Sequence, residues 1–353
     1  MDVTVLNSLF QPVYIVDTYE SMIWTDRYYE CGDFELYTKL SDDIQKYAIP
    51  GNYLRISDSE HIMLIESIEI ESNVEDGTNF IAKGRSLESI LDRRIVWGLK
   101  TVNGDIQTCL KALINEAIIS PTDANRKIDN FIFEDNSDKN ITSINMDAQF
   151  TGDNLYDVVS QVCAAYDIGF KITLNSSNQM VFKLFKGANR SYDQSVNSFV
   201  VFSPYFDNIS ESNYIEDHAP YKNVVLVGGE GEGSDRKYQS IGTVAGLARR
   251  ELFVDARDIS SNDGVITISE SDYNKLLLQR GEEKLAEVPI SKAFDGSADT
   301  KQMFEYGIDF FIGDKVQIED AYGHSAASIV TEFIISVDDS GYSAYPTFTA
   351  IQS

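Results

Sequence analysis

Periodicity and composition predict a β-dominated α+β fold. Tyr and Phe number 19 each, apolar and polar residues alternate along much of the chain, and short apolar runs are punctuated by Gly, Asn and Asp. That combination favours strands and tight turns. The 353 residues have room for about two to four domains at roughly 100–200 residues each. With 43% hydrophobic residues the chain can bury a sizeable core, which sets it apart from disordered sequences.

The N-terminal unit reads as a meander. Tyr14-Ile15-Val16 and Met22-Ile23-Trp24 are short apolar runs, and Phe34-Glu35-Leu36 alternates with period two. Cys31-Gly32-Asp33 between them predicts a turn, as does Pro50-Gly51-Asn52 before Tyr53-Leu54-Arg55-Ile56. Ile62 to Glu71 predicts a strand, half-buried over Ile68-Glu69-Ile70-Glu71. It pairs with Phe80-Ile81-Ala82 across a Glu75-Asp76-Gly77 turn, in a meander able to close as a small barrel or sandwich. A helical phrase from Ser86 to Ile95 ends this unit.

From about residue 100 the period becomes three and four. Ile106, Leu110, Leu113, Ile114, Ala117 and Ile118 form one amphipathic stripe, ended by Ser120-Pro121. Leu155, Val158, Val159, Val162, Cys163 and Tyr166 form a second, with Asp153 as the expected cap and Gly169 as the stop. Phe170–Leu174 and Met180–Leu184 then flank Asn175-Ser176-Ser177-Asn178 as a hairpin, so the middle unit reads as α+β.

The stretch from Asn223 to Ile259 anchors the second β unit, which begins after Val200-Val201-Phe202. Val224-Val225-Leu226-Val227 runs into Gly228-Gly229-Glu230-Gly231-Glu232-Gly233 and returns toward Arg249–Ile259. Glycines supply the positive φ angles that a hairpin tip needs. A helix is expected from about Asp272 to Val288, capped by Ser269 or Ser271 and stopped at Pro289. The β pattern resumes over Tyr306–Ile318 and Ile329–Val337, and closes with the Asp338–Gly341 turn and Tyr345–Ile351. The Gly-Asp turns common to both β units suggest a distant internal duplication.

Charge and cysteine content exclude several functions. The chain carries 56 acidic and 29 basic residues, a net charge of -27, which opposes binding to nucleic-acid phosphates. Acidity also serves solubility alone. Cys31, Cys109 and Cys163 are odd in number and lack CxxC or CxH spacing, so free thiols in a reducing compartment are expected. Met1-Asp2-Val3-Thr4 lacks the basic and apolar regions of a signal peptide, and no apolar run reaches the roughly 18 residues of a membrane span. A soluble protein without its own export address is expected.

No catalytic, metal-binding or cofactor-binding residue can be nominated. His61, His218 and His324 are scattered, with no carboxylate or cysteine at metal-ligand spacing. Gly229-x-Gly231-x-Gly233 has the glycine spacing of a phosphate loop, but no apolar helix follows and Glu230 and Glu232 would repel phosphate. Asn262-Asp263-Gly264 reads as a turn, since its glycine misses the sixth position of a calcium loop. Arg249, Arg250, Arg257 and Glu251 form either an intersubunit ion-pair cluster or a solvated charged edge. Among so many carboxylates no acid pair stands out.

Four phrases, taken together, resemble siphophage tail-hub (tail-associated, Tal-type) proteins. They are Asp26–Leu36 (DRYYECGDFEL), Lys83–Ile95 (KGRSLESILDRRI), the Asn223–Asp258 stretch, and Tyr306–Val316 (YGIDFFIGDKV). Cys31 stands where members of that family often carry Pro. The family is related to the baseplate hubs of contractile phages.

The resemblance implies two tube-like antiparallel β-barrel domains, over 1–97 and over 200–260 with 302–353. An α+β domain over 98–199 and a helical insertion over 261–301 would be peripheral. It further implies a homotrimeric, non-enzymatic ring that caps the tail tube, adapts sixfold to threefold symmetry and passes DNA without binding it. Expected partners are the distal tail protein, tail tube, tape measure protein and receptor-binding proteins or fibres. The expected location is the virion tail tip, after assembly in the host cytoplasm. Longer relatives carry C-terminal fibre or cell-wall-degrading modules, and none is expected after Ser353. The competing readings are a carbohydrate-binding adhesin and a peptidoglycan hydrolase.

Overall fold

The computed structural model describes residues 1–74, 77–262, 267–298, 303–322 and 324–350. Strand makes up 41% and helix 22%, so the β-dominated α+β expectation holds. The expected turns at Glu75-Asp76-Gly77 and Asn262-Asp263-Gly264 and the last residue of Tyr345–Ile351 fall wholly or partly outside the described residues.

The N-terminal unit contains β1 (Val3–Leu6), β2 (Pro12–Val16), β3 (Ser21–Arg27), β4 (Asp33–Lys39), helix α1 (Asp42–Tyr47), β5 (Tyr53–Ile56), β6 (Ile62–Asn73) and β7 (Gly77–Ser86). The helical phrase beyond it forms a 3-10 helix over Leu87–Arg93. The middle unit has β8 (Leu99–Asp105), α2 (Ile106–Ile114), β9 (Phe131–Glu134), α3 (Lys139–Thr142), β10 (Asn145–Thr151), α4 (Leu155–Ala165), β11 (Gly169–Leu174) and β12 (Met180–Phe185). The last part has β13 (Val201–Phe202), β14 (Ile209–Asp217), β15 (Val224–Gly228), β16 (Tyr238–Ile241), β17 (Glu251–Asp255), α5 (Glu270–Ala286), β18 (Ser291–Ala298), β19 (Lys315–Glu319), β20 (Ser325–Asp338) and β21 (Gly341–Ala350).

One 13-stranded sheet dominates, in the order β14-β18-β21-β20-β3-β4-β7-β6-β5-β1-β2, with β13 and β19 paired beside β20. Both ends of the chain build it: β3 pairs antiparallel with β20 from Met22↔Val337 to Arg27↔Glu332. One apolar cluster lies under both halves, from Val3, Trp24, Phe34 and Phe80 to Phe202, Phe310, Val330 and Phe348. Thus the two expected β units share a sheet and a core, and no sheet closes on itself among the described residues. Residues 291–298, expected within the helical insertion, form a strand of this sheet.

The middle unit packs its helices against the N-terminal unit. Leu110, Val159, Phe170 and Phe182 share a cluster with Leu6, Ile62, Leu87 and Leu91. Two of its local signals resolve differently from expectation. Asn154, rather than Asp153, caps α4, accepting from the Tyr156 and Asp157 N–H groups, while Asp153 accepts from Thr151 N. Asp167 (φ 53°) takes the left-handed turn after α4, which frees Gly169 to open β11. The apolar stripe through Ile118 is continuous, but after Ile114 the backbone loosens into a π turn over Asn115–Ile119.

The Asn223–Ile259 stretch forms the expected hairpin, with β15 antiparallel to β16 across the glycine-rich tip. Instead of joining the large sheet it makes its own, ordered β16-β15-β17. α5 covers one face, placing Tyr273, Leu276 and Leu277 against Val225, Val227 and Val254; Ser269 is its cap. The expected strand over Tyr306–Ile318 is confined to Lys315–Glu319. Gly307 (φ 85°) and Gly313 (φ 88°) turn the preceding backbone out of extended geometry.

Candidate functional site

The three units meet at Tyr28–Cys31, just after β3. Tyr28 N donates to Thr331 O at 3.0 Å on β20, and Tyr28 O accepts from Phe170 N at 3.2 Å on β11. The Tyr28 hydroxyl donates to Asp167 O at 3.2 Å, Cys31 N donates to the Tyr156 hydroxyl at 3.0 Å, and Ser160 Oγ donates to Tyr29 O at 2.7 Å. The Tyr28 ring lies against two glycines. A Cβ built on Gly169 would stand 2.3 Å from it, and one on Gly313 2.4 Å. No side chain fits at either position.

Three of the four family-like phrases converge here. Gly32 N, from the first, donates to Ser86 Oγ at 2.8 Å in the second. In the fourth, Tyr306 stacks on Phe333 with centroids 3.6 Å apart. Asp314, also in the fourth, is buried and accepts from Ala188 N at 2.6 Å, Arg190 Nε at 2.7 Å and Phe311 N at 3.1 Å. The Asn223–Asp258 phrase lies apart, in the small sheet.

A cleft of about 460 Å³ opens between the units, lined by residues that include Asp26, His61, Lys171, Arg190, Tyr306 and Asp314. Buried charges form its floor. Asp26 accepts from Trp24 Nε1 at 2.9 Å and Ser59 Oγ at 2.7 Å, and Glu88 Oε1 accepts from Ile172 N at 2.6 Å. His61 Nδ1 stands 3.4 Å from Glu88 Oε1, an ionic contact rather than a hydrogen bond. Burial opposes charge on His61, but the neighbouring Asp26 and Glu88 outweigh it and raise the imidazole to about 9. Burial likewise opposes the Glu88 carboxylate, yet His61 and the surrounding donors hold it below the usual range. At Asp26 burial prevails and raises the carboxyl. The arrangement fixes one unit against another.

The face of the large sheet away from the core is charged and braced by ion pairs across strands. Arg27 meets Asp33 at 2.5 Å and Glu332 at 2.6 Å, and Lys83 meets Glu35 at 2.6 Å. Arg85 grips Glu66 with two hydrogen bonds of 2.8 Å. Glu69 and Glu71 extend the face with further carboxylates.

The structure keeps the remaining candidates of the sequence apart. His218 contacts Glu216 at 2.6 Å and His324 contacts Asp320 at 2.5 Å, both remote in sequence and pairing from His61. Among the described residues no three potential ligands gather at a metal-binding distance. The Gly229–Gly233 tip joins two antiparallel strands, unlike a phosphate loop. Arg249 pairs with Glu251 at 2.5 Å and Arg257 with Asp255 at 2.6 Å, while Arg250 donates to His218 O. This cluster is engaged within its own chain. All three cysteines are buried and free, and no described helix is long and apolar enough to cross a membrane.

Residues 2–348 match the family described as Siphovirus ReqiPepy6 Gp37-like protein. The chain belongs to that family. The resemblance to siphophage tail-hub proteins therefore holds at the level of the family, and the chain is a phage tail protein related to tail-tip and baseplate hubs.

Solved structures with the same fold include the 43 kDa tail protein of prophage MuSo2 from Shewanella oneidensis. It has a TM-score of 0.59 and 11% identity, with 100% of this chain and 98% of that one covered. The tail protein from Neisseria meningitidis MC58 follows at 0.57 and 11%, covering 99% and 96%. The prophage tail protein gp18 from Listeria monocytogenes EGD-e follows at 0.54 and 13%, covering 99% and 94%. At these identities the likeness is one of fold. No curated protein sequence matches the chain significantly.

Proposed function

We propose that this chain is a structural hub of the tail tip. Three copies form a ring that caps the tail tube, adapts its sixfold symmetry to threefold, and conducts DNA after opening. One observation carries the reading: the two ends of the chain build a single open sheet whose core-free face is polar and charged. Such a sheet is suited to wall a wide channel, and its two long hairpins, β6–β7 and β20–β21, give each copy two comparable wall segments. Two segments in each of three copies is the arrangement a sixfold neighbour requires.

The net charge of -27 supports an acidic bore that repels DNA phosphates, over roughly 8 Å at physiological salt. On this reading the peripheral units contact the distal tail protein, tape measure protein and receptor-binding fibres, the location is the virion tail tip, and the role is not enzymatic. Light scattering across concentration tests the ring. Three 39.6 kDa chains should give a particle of about 119 kDa, whereas a monomer at every concentration counts against a self-assembling hub.

An adhesin role has one specific feature in its favour. The small sheet leaves Leu226, Tyr238 and Phe253 exposed on one side, with the Arg236 guanidinium 5.7 Å and 5.5 Å from the two ring centroids. Direct binding of the isolated protein to host cell walls would favour this role over the hub.

A further inference from the structure

We propose that the cleft between the three units is a binding site for the carboxyl terminus of a polypeptide whose last residue is apolar. The inference does not rest on the ring, since every group it uses belongs to one chain.

The cleft holds a surplus of hydrogen-bond donors. Arg190 lines it with a side chain only 19% exposed. The Arg190 Nε donates to Asp314 at 2.7 Å, and neither Nη atom meets an acceptor among the described residues. His61 lines the cleft as well. Its Nδ1 is sealed from solvent and turned toward Glu88, so the ring presents its Nε2 edge to the cleft. That nitrogen too meets no acceptor among the described residues. Lys171 and Lys186, the other cations of the lining, are occupied by Glu60 and by Asp167 with the Tyr166 carbonyl.

The deep carboxylates of the lining are already matched. Both oxygens of Asp26 accept, one from Trp24 Nε1 and one from Ser59 Oγ. Both oxygens of Asp314 accept, one from Ala188 N and the other from Arg190 Nε and Phe311 N. Glu88 keeps one unmatched oxygen, but it lies behind His61 and does not line the cleft. Buried donors left without partners call for an acceptor from outside the chain. A guanidinium fork matches the paired oxygens of a carboxylate. The imidazole, raised to about 9 by Asp26 and Glu88, adds a second charged donor at neutral pH.

Both donors are held in place before any ligand arrives. Arg190 N donates to Lys315 O at 2.6 Å, and Arg190 O accepts from Val200 N at 3.0 Å. His61 N donates to Ser59 Oγ at 3.1 Å. Little ordering is left for binding to offset.

The rest of the lining sets the class of ligand. Phe185, Phe311 and Ile312 supply an apolar wall, and Phe311 is 45% exposed. The volume of about 460 Å³ exceeds what a lone carboxylate needs and leaves room for an apolar side chain. At the rim, Asp58 is exposed and the Glu60 side chain is 59% exposed. These groups and the net charge of -27 repel free polyanions such as phosphates. A single carboxylate at the end of a polypeptide escapes most of that repulsion, and its backbone N–H groups suit the rim carboxylates.

Calorimetric titration of the full chain tests the site. The probes are N-acetyl-Gly-Gly-Leu, its C-terminal amide, N-acetyl-Gly-Gly-Gly, acetate and inorganic phosphate at matched ionic strength. The leucine acid should bind once per chain, with the amide and the glycine acid each weaker by about tenfold or more. Arg190→Lys keeps the charge but loses the fork, and should weaken the leucine acid about tenfold or more. Because that change also touches Asp314, Phe311→Ala provides a second variant at an exposed position. It should keep the native melting temperature and bring the leucine acid down to the affinity of the glycine acid. No binding of the leucine acid tighter than about 1 mM overturns the site, as does equal binding of acid and amide. Acetate or phosphate binding as tightly as the leucine acid overturns the polypeptide occupant in favour of a small anion. Phe311→Ala protein with native melting and unchanged affinity overturns the placement in this cleft. A monomer in light scattering speaks only against the ring and leaves each of these results readable.

Discussion

Arg27 Nε donates to Glu332 Oε1 across 2.6 Å, joining positions 305 residues apart. The same guanidinium reaches Asp33 at 2.5 Å and Cys31 O at 3.0 Å. A single side chain thus ties the β3–β20 seam to the turn that carries the three-unit junction. Burial opposes the charge on Arg27, but the hydrogen bonds it donates to Glu332 and Asp33 outweigh that and raise the guanidinium.

A double-mutant cycle between Arg27→Ala and Glu332→Ala should return a coupling of about 1–2 kcal/mol, as for a partly shielded charged hydrogen bond. Arg27→Ala alone should be the more damaging single change, since it also abandons Asp33 and the Cys31 carbonyl. Urea unfolding measures both. A coupling near zero would mean that the seam is held by its backbone ladder and core alone.

Gly313 and Gly307 form a matched pair for a second experiment. Both have positive φ, 88° and 85°. A Cβ on Gly313 would meet the Tyr28 ring at 2.4 Å, whereas one on Gly307 meets nothing within 4 Å. Gly307→Ala should cost about 1–2 kcal/mol of backbone strain. Gly313→Ala should cost about 3 kcal/mol or more through the added clash. Equal losses would show that the ring yields easily.

His61 should make stability fall with rising pH. Its folded value of about 9 lies above the ordinary 6.5, so the folded state holds a proton that the unfolded state releases first. The contribution is fully present below about pH 6.5 and is lost as pH climbs through about 9, at most about 3 kcal/mol at 1.36 kcal/mol per unit. Glu88, whose carboxyl is lowered, contributes in the opposite sense and loses its share in acid. Chemical denaturation from pH 6 to 10 should show the His61 slope, and His61→Gln should flatten it.

Thiol reactivity should report global unfolding. Burial pushes the Cys109 thiol up to about 11 and raises Cys163 further, and Cys31 is also buried. An aromatic disulfide reagent should label the native protein negligibly and all three thiols after denaturation. Rapid native labelling of Cys163 would reveal opening of α4.

Local order was legible in the sequence because local order is written in spacing. The β-rich character, the α2 and α4 stripes, the Ser269 cap, the hairpin tip at Gly228–Gly233 and the buried thiols follow from periodicity and turn chemistry within a few residues. The cap of α4 moved from Asp153 to Asn154 because both residues can accept from free N–H groups, and chain geometry chose between them. Of the candidate site, the first, second and fourth family-like phrases were visible as phrases, and their meeting around Tyr28 was not.

Alternation along Ile68-Glu69-Ile70-Glu71 determined that these isoleucines face one side of a strand. Only the tertiary structure decided that the core stops short of them, since a period of two names a face and never what covers it. In the same way, nothing near Met22 or Val337 specifies that β3 and β20 pair. Their union depends on one apolar core, from Trp24 to Phe348, being buried from both sides at once. Strand pairing over such a separation is selected by the fit of whole faces, a property of the folded chain that no local window contains.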